Sequence, residues 1–115
     1  MLTLIMTVAL PANAANTAFN VTHPDYRQSP YALKDDDEQR FYVTGYTFNA
    51  NGYYLYCWVN RADMGVSSYT ATITNSDRSD NAEYRAYAAP FYYYFMDTST
   101  DADFFLFNVT GVFCP

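Results

Sequence analysis

Short runs of aromatic and β-branched residues, separated by clusters of turn residues, organise the chain from residue 41 onward. Two of these runs, 41–48 and 53–59, flank Asn49-Ala50-Asn51-Gly52. An Asn-Gly pair accommodates the positive φ angles of a tight turn between antiparallel strands. We therefore expect the two runs to pair with each other as a β-hairpin.

A third run, 68–74, alternates hydroxyl-bearing and apolar side chains with the period of two that is typical of a half-buried strand. Tyr69, Ala71 and Ile73 should therefore face one way, and the three threonines of the run should face the other. The next segment, 80–89, has helix capping-box spacing at Asp80 and Glu83 but also alternates as a strand does. A strand paired with the preceding run across residues 75–79 is favoured over a helix.

The run 91–96 consists of five aromatic residues and a methionine. Phenylalanine has no hydroxyl to satisfy, so the side that carries Phe91, Tyr93 and Phe95 is expected to face the core. Tyr92 and Tyr94 are then left on the outer side. A polar loop, 97–103, separates this run from the last one, 103–114.

Five to seven short strands without a long helix are typical of a small antiparallel β-sandwich, either immunoglobulin-like or a partly closed barrel. This β domain is expected to cover residues 41–115. Residues 15–40 show no periodicity and contain an acidic run, 35–38, so they are predicted to form an extended N-terminal arm with an acidic linker. Within the arm, Ser29-Pro30 favours the start of one or two helical turns.

Residues 1–14 have the pattern of a signal peptide. An uncharged apolar run is followed by Ala12-Asn13-Ala14, and the run is shorter than the roughly 20 residues that span a bilayer. The alternative is a buried N-terminal strand. A signal peptide predicts that the protein is secreted or periplasmic and that its mature chain has no membrane span.

The sequence contains two cysteines, Cys57 and Cys114, and neither has a Cys or His at metal-ligand spacing. In an exported protein this predicts one disulfide bond, which by loop entropy would stabilise the fold by about 4 kcal/mol. A β-bulge at Gly111 would place Phe105 and Phe107 on the core side together with Val112 and Cys114.

The chain is acidic, with a net charge of −6 and a pI near 4.3, and its six basic residues are scattered. Binding to nucleic acid is disfavoured because no basic patch is available to neutralise phosphates. Adhesion to anionic lipid is disfavoured for the same reason.

Catalytic and cofactor sites find little support in the sequence. The single histidine, His23, falls in the predicted arm, where a general base would not be held in geometry. A small hydrolase with paired carboxylates is the least favoured function, and no cofactor is expected. One weak calcium candidate resembles the start of a calcium loop but lacks its glycine and its bidentate glutamate: Asp97, Ser99, Asp101 and Asp103.

The most unusual feature is the aromatic content, with thirteen Tyr, nine Phe and one Trp. Consecutive aromatics point to both faces of a strand, so one inward face cannot hold them all. Either tyrosines line the edge of the core, or they form an exposed surface. The expected surface residues are Tyr92, Tyr94, Tyr54, Tyr56 and Trp58.

Such a surface suggests a non-enzymatic interaction or host-interaction module that binds a protein partner. A carbohydrate-binding module, in which a planar row of aromatic side chains stacks on sugar rings, is the alternative. Self-association through the same surface is a further expectation.

Overall fold

The computed structural model of the protein describes residues 16–115, so the predicted signal peptide, residues 1–14, lies outside the described residues. Within the described part, the chain forms eight β-strands and no helix. In chain order the strands are β1 (Thr17–His23), β2 (Ala32–Leu33), β3 (Arg40–Phe48), β4 (Leu55–Arg61), β5 (Ala71–Ile73), β6 (Ser79–Glu83), β7 (Tyr93–Thr100) and β8 (Phe107–Cys114).

The strands form two antiparallel four-stranded sheets, which pack face to face as a β-sandwich. The first sheet has the order β1-β8-β3-β6, and the second has the order β2-β7-β4-β5. Their inner faces supply one continuous hydrophobic core, to which both sheets contribute fully buried side chains such as Phe41, Val109, Leu55 and Ile73. The mainly-β antiparallel prediction is confirmed, although the sandwich has eight strands rather than five to seven.

The predicted hairpin is wrong in its pairing. β3 pairs with β6 and β8 in the first sheet, whereas β4 pairs with β5 and β7 in the second. Residues 49–52 turn the chain, with Gly52 at a φ of +83°, but they carry it from one sheet to the other. Asn49 directs this crossing, because its side chain donates to Leu106 O (2.8 Å) and accepts from Asn108 N (2.9 Å).

Segment 80–89 contributes strand β6, so the strand interpretation holds over Ser79–Glu83. Its partner is β3, with Ala82 opposite Phe41, and not the preceding strand β5. The predicted pairing is therefore wrong, and only the isolated bridge between Ser68 and Tyr84 links the two segments along their backbones.

Residues expected to form an extended arm are extended, but they belong to the sandwich. β1 pairs along its whole length with β8, and Phe19 and Val21 enter the core. The short strand β2 pairs with β7. The helical turns expected at Ser29-Pro30 do not form, because the Ser29 backbone N donates to Met96 O (2.8 Å) and its hydroxyl accepts from Met96 N (2.8 Å).

Lys34, just after β2, is fully buried. Its ammonium donates to Asp36 Oδ1 (3.0 Å), to Pro115 O (2.9 Å) and to Glu38 O. The hydroxyl of Tyr84 donates to the same Pro115 oxygen at 2.6 Å. The acidic segment expected as a solvated linker is thus partly folded back around a lysine that ties it to the end of β8.

The predicted disulfide is not formed: Cys57 and Cys114 are both buried free thiols. Cys57 lies on the core face of β4 between Leu55 and Val59. The buried residues of β8 place Phe113 on its core face, so Cys114, one position later, has the opposite phase. The two sulfur atoms therefore belong to different faces of different sheets, and alternation cannot bring them together.

The register irregularity near Gly111 lies on the partner strand. Gly45 is opposite Gly111, and Thr47 is opposite Thr110, so Tyr46 is the extra residue on β3. β8 itself alternates without interruption, with Phe107, Val109 and Phe113 in the core. The prediction is confirmed for Phe107. It is wrong for Phe105, which is exposed, and for Val112 and Cys114, which do not have the phase of the core face.

Candidate binding site

The outer face of the second sheet carries a row of aromatic side chains along its central strand β4. Leu55, Cys57 and Val59 are fully buried, so the intervening residues point away from the core. We call Tyr54, Tyr56 and Trp58 the aromatic row. Tyr54, which immediately precedes β4, is exposed, and Tyr56 and Trp58 are partly exposed.

The rings of Tyr54 and Tyr56 share a direction. The ring planes of Tyr54 and Tyr56 are within 24° of parallel, and their centroids lie 6.0 Å apart. This spacing is close to the roughly 7 Å that separates every second residue of a strand. The row therefore follows the strand, as the sequence pattern predicts for these three residues.

Polar residues of the neighbouring strands flank the row on both sides. Tyr56 lies between Thr72 of β5 and Ser99 of β7 in the register, and Trp58 is opposite Asp97 of β7. These side chains offer hydroxyl groups and one carboxylate beside the rings. The face thus combines apolar rings with hydrogen-bonding groups.

A groove lies at the Trp58 end of the row. It is an open depression with a volume of about 470 Å³, within the range of about 300 to 1,000 Å³ usual for ligand pockets. We call it the Trp58 groove; its walls are Trp58, Asn60, Ser67, Ser68, Thr70 and Arg85.

Within the Trp58 groove, the Ser68 hydroxyl already makes hydrogen bonds inside the protein. It accepts from Val59 N (2.8 Å) and donates to Tyr69 O (2.7 Å). Asn60 is different. It is only 5% exposed, yet its side-chain amide makes no hydrogen bond within residues 16–115. Every side-chain polar atom sealed from solvent in this region has a partner, so the Asn60 amide must open into the groove that it lines.

The guanidinium of Arg85 is held at the edge of this groove. Its Cζ lies 4.4 Å from the centroid of the Tyr69 ring, and Nε donates to Ser68 O at 3.4 Å. Among the described residues the only ion pairs are Lys34–Asp36, Arg40–Glu83 and Arg61–Asp63, so Arg85 has no carboxylate partner there.

The prediction of which β7 aromatics face the core is wrong, because the inward and outward positions of the strand are exchanged. Tyr94 is fully buried and Tyr93 is exposed, so the core face carries Tyr94 and Met96. Tyr94 is tolerated inside because its hydroxyl donates to Ala89 O at 2.8 Å. Phe95 lies on the outer side, where Tyr31 covers it with a ring centroid 5.6 Å away.

Tyr92, the other predicted binding residue of this run, precedes β7 and is exposed. The guanidinium carbon of Arg61 lies 4.4 Å from its ring centroid, so one face of this ring is already covered. Tyr92 and Tyr94 therefore do not form a joint surface, whereas Tyr54, Tyr56 and Trp58 do.

The calcium candidate is not a ligand cluster. Asp97 Oδ1 accepts from Thr98 N and Asp101 Oδ1 accepts from Tyr54 N, each at 2.9 Å. Across residues 16–115, no three His, Cys, Asp or Glu side chains are arranged to hold a metal ion. Likewise, this part of the chain contains no helix able to cross a membrane.

The two thiols and the histidine are held in the interior rather than at the aromatic row. Burial raises the pKa of Cys57 far above its ordinary range and that of Cys114 to about 12. Both thiols are therefore protonated and poor nucleophiles at neutral pH.

His23 ends β1 as a buried side chain, contrary to its expected place in a loose arm. Its Nε2 lies 2.8 Å from Thr98 Oγ1, and that hydroxyl donates its proton to Arg27 O at 2.6 Å. Since the hydroxyl has one proton, Nε2 must be the donor to Thr98. Burial, reinforced by the charge of Arg27 and opposed by Asp97, lowers the pKa of His23 below its ordinary value of 6.5.

We therefore expect the protein to lose stability as the pH falls below about 6.5. The unfolded chain takes up a proton on His23 there, and the folded chain does not, so the free energy of unfolding falls with falling pH. Urea unfolding between pH 7.5 and 5.5 measures this slope. His23→Gln should flatten it, whereas equal slopes in both proteins would contradict the assignment.

No protein-family profile matches the chain, and neither the curated proteins nor the solved structures include one with significant similarity to it.

Proposed function

We propose that this protein is a secreted or periplasmic, non-enzymatic binding module that recognises glycans through the outer face of its second sheet. The observation that carries the proposal is the aromatic row with polar side chains on both flanks. A sugar presents flat faces of C–H groups and a rim of hydroxyls. Aromatic rings fit the former, and hydroxyl and carboxylate groups fit the latter.

Position on a strand supports this role. Tyr and Trp side chains have few rotatable bonds, so they lose little entropy when they contact a ligand. Strand β4 is central in its sheet, with β5 on one side and β7 on the other, which holds the row in a fixed geometry. A repeating ligand with units spaced along the strand would contact successive rings.

The competing function, a protein-binding surface built on the β7 tyrosines, is less well supported. Tyr94 is in the core, and Arg61 covers one face of Tyr92. The thiols are buried and protonated, and Nε2 of His23 is hydrogen-bonded to Thr98. Both observations favour binding over nucleophilic catalysis.

The test uses Trp58, the single tryptophan of the chain, as an internal reporter. Soluble neutral and acidic oligosaccharides are titrated against the protein while its fluorescence is followed. Binding should change the Trp58 emission. Tyr54→Ser with Tyr56→Ser should weaken that binding at least tenfold, because truncating central contact residues of an interface costs about 2 kcal/mol or more.

Tyr46→Ser is the matched control, since Tyr46 is about as exposed as Tyr54 but lies on β3 of the other sheet. Its binding should equal that of the unmodified protein. Circular dichroism melts verify that each variant folds. Unchanged binding in the Tyr54/Tyr56 double variant, or binding of none of the oligosaccharides, would overturn the proposal.

A further inference from the structure

We propose that the Trp58 groove is a subsite for a sugar unit that carries a carboxylate, with Arg85 as the group that recognises the acid. This inference rests on the proposed glycan-binding function and adds the class of sugar. Three features of the groove support it: an aromatic wall, an open amide and a positive charge without an ion-pair partner.

The aromatic wall is Trp58, which is the last member of the aromatic row. A pyranose ring that packs against this indole occupies the groove and stays continuous with ligand units on Tyr56 and Tyr54. Thr70 adds a hydroxyl on the β5 side. The groove can therefore hold one end or one unit of a longer chain.

The open amide is that of Asn60. A buried amide without a hydrogen-bond partner costs free energy, in the range of about 1 to 3 kcal/mol, unless water or a ligand satisfies it. Asn60 follows Trp58 by two residues on β4, so it has the same phase as the aromatic row. Its donor and acceptor atoms face into the groove, where sugar hydroxyls can replace the water.

The charge comes from Arg85. None of the six side chains that line the groove is acidic, and the guanidinium has no ion-pair partner within residues 16–115, although the chain as a whole has a net charge of −6. An arginine left without a carboxylate on an acidic protein matches an external anion.

The geometry of Arg85 favours a carboxylate over a diffuse negative charge. The Tyr69 ring and Ser68 O hold the guanidinium plane and its Nε. The two terminal nitrogens have no hydrogen bond within the described residues, and their fork matches the two oxygens of a carboxylate. Uronic acids and sialic acids both present such a group on a pyranose ring.

The experiment compares each acidic sugar with its uncharged counterpart. An oligogalacturonate and its methyl ester form one pair, and sialyllactose and lactose form the other, so the two sources of the carboxylate are distinguished. Binding is followed by Trp58 fluorescence and by calorimetry. We expect one acidic member to bind at least tenfold more tightly than its neutral counterpart, with an affinity that falls as salt is added.

Arg85→Gln should remove this preference and leave weaker binding that is equal for the acidic and neutral members. Arg40→Gln, which removes an exposed arginine of the first sheet, is the matched control and should retain the preference. Asn60→Ala should weaken binding of both members alike, since it removes contacts to hydroxyls rather than to the acid.

The outcomes separate this inference from the function on which it rests. Tight binding of neutral oligosaccharides that depends on the aromatic row, without any effect of Arg85→Gln, would overturn the acidic subsite and leave the glycan-binding function standing. Binding of an acidic sugar that survives both Trp58→Ala and Arg85→Gln, measured by calorimetry, would overturn both. Binding of none of the four sugars would overturn the subsite.

Discussion

Replacing Gly111 by Ala is expected to destabilise the protein by about 3 kcal/mol, the upper part of the range for overpacked cores. A Cβ at this position would lie 2.1 Å from Thr44 O and 2.9 Å from Gly45 Cα. Both are backbone atoms of β3, so no side chain can rotate away to make room. The methyl group can be accommodated only if β3 and β8 separate where the bulge at Tyr46 brings them together.

Gly52→Ala is the matched control. Gly52 has a φ of +83°, but an added Cβ would meet no atom within 4 Å. Its cost should be limited to the strain of a left-handed backbone, about 1 kcal/mol. Urea unfolding of the two variants measures the difference. A Gly111 variant as stable as the Gly52 variant would show that the strands are not closely apposed there.

Lys34→Met is expected to cost about 3 kcal/mol of unfolding free energy. Methionine has nearly the same length, so the change removes the ammonium and leaves the packing. Glu38 O then loses its side-chain donor, Pro115 O keeps only the Tyr84 hydroxyl, and Asp36 loses its charged partner. Removing one partner of a buried ion pair typically costs about 3 to 5 kcal/mol, and the partial exposure of Asp36 places this case at the lower end.

Arg40→Met is the comparison for Lys34→Met, because the Arg40–Glu83 pair is exposed on both sides and 3.6 Å long. Exposed pairs contribute about 0 to 1 kcal/mol, so this variant should unfold almost as the unmodified protein does. Chemical denaturation of both variants measures the contrast. A Lys34 variant with unchanged stability would mean that desolvation of the ammonium offsets its hydrogen bonds.

Alternation along single strands was the part of the fold that the sequence predicted well. The buried phase of β4 and β5 follows directly from Leu55, Cys57, Ala71 and Ile73, and it places the aromatic row on the outer face. The phase of β7 did not follow, because 91–96 contains no strongly polar residue to mark the solvent side. Tyr94 is tolerated in the core because its hydroxyl donates a hydrogen bond to Ala89 O.

Strand pairing could not be predicted from local patterns. Asn49 to Gly52 specifies a turn, but the polar contacts of Asn49 with Leu106 O and Asn108 N decide that the turn crosses between sheets. The interpretation that residues 15–40 have no periodicity was wrong over β1, where Phe19, Val21 and His23 alternate with more exposed residues. The burial of Lys34 was not predictable, since its acceptors include Pro115, 81 residues away.

The same limit applies to the candidate site. Tyr54, Tyr56 and Trp58 are recognisable from their spacing, and Asn60 continues their phase by one more step. Arg85 comes from the segment after β6, whose backbone is bridged to the residues before β5 at Ser68–Tyr84. No periodicity along the chain indicates that it lies beside Trp58.

The position of β8 limits when the first sheet can form during synthesis of the chain. β8 is the last strand in the chain, yet it lies between β1 and β3, and those two strands do not pair with each other. A nascent chain that still lacks residues 107–114 can pair β3 with β6, but it has no strand that joins β1 to β3. The first sheet is therefore completed only after residues 107–114 have been synthesised.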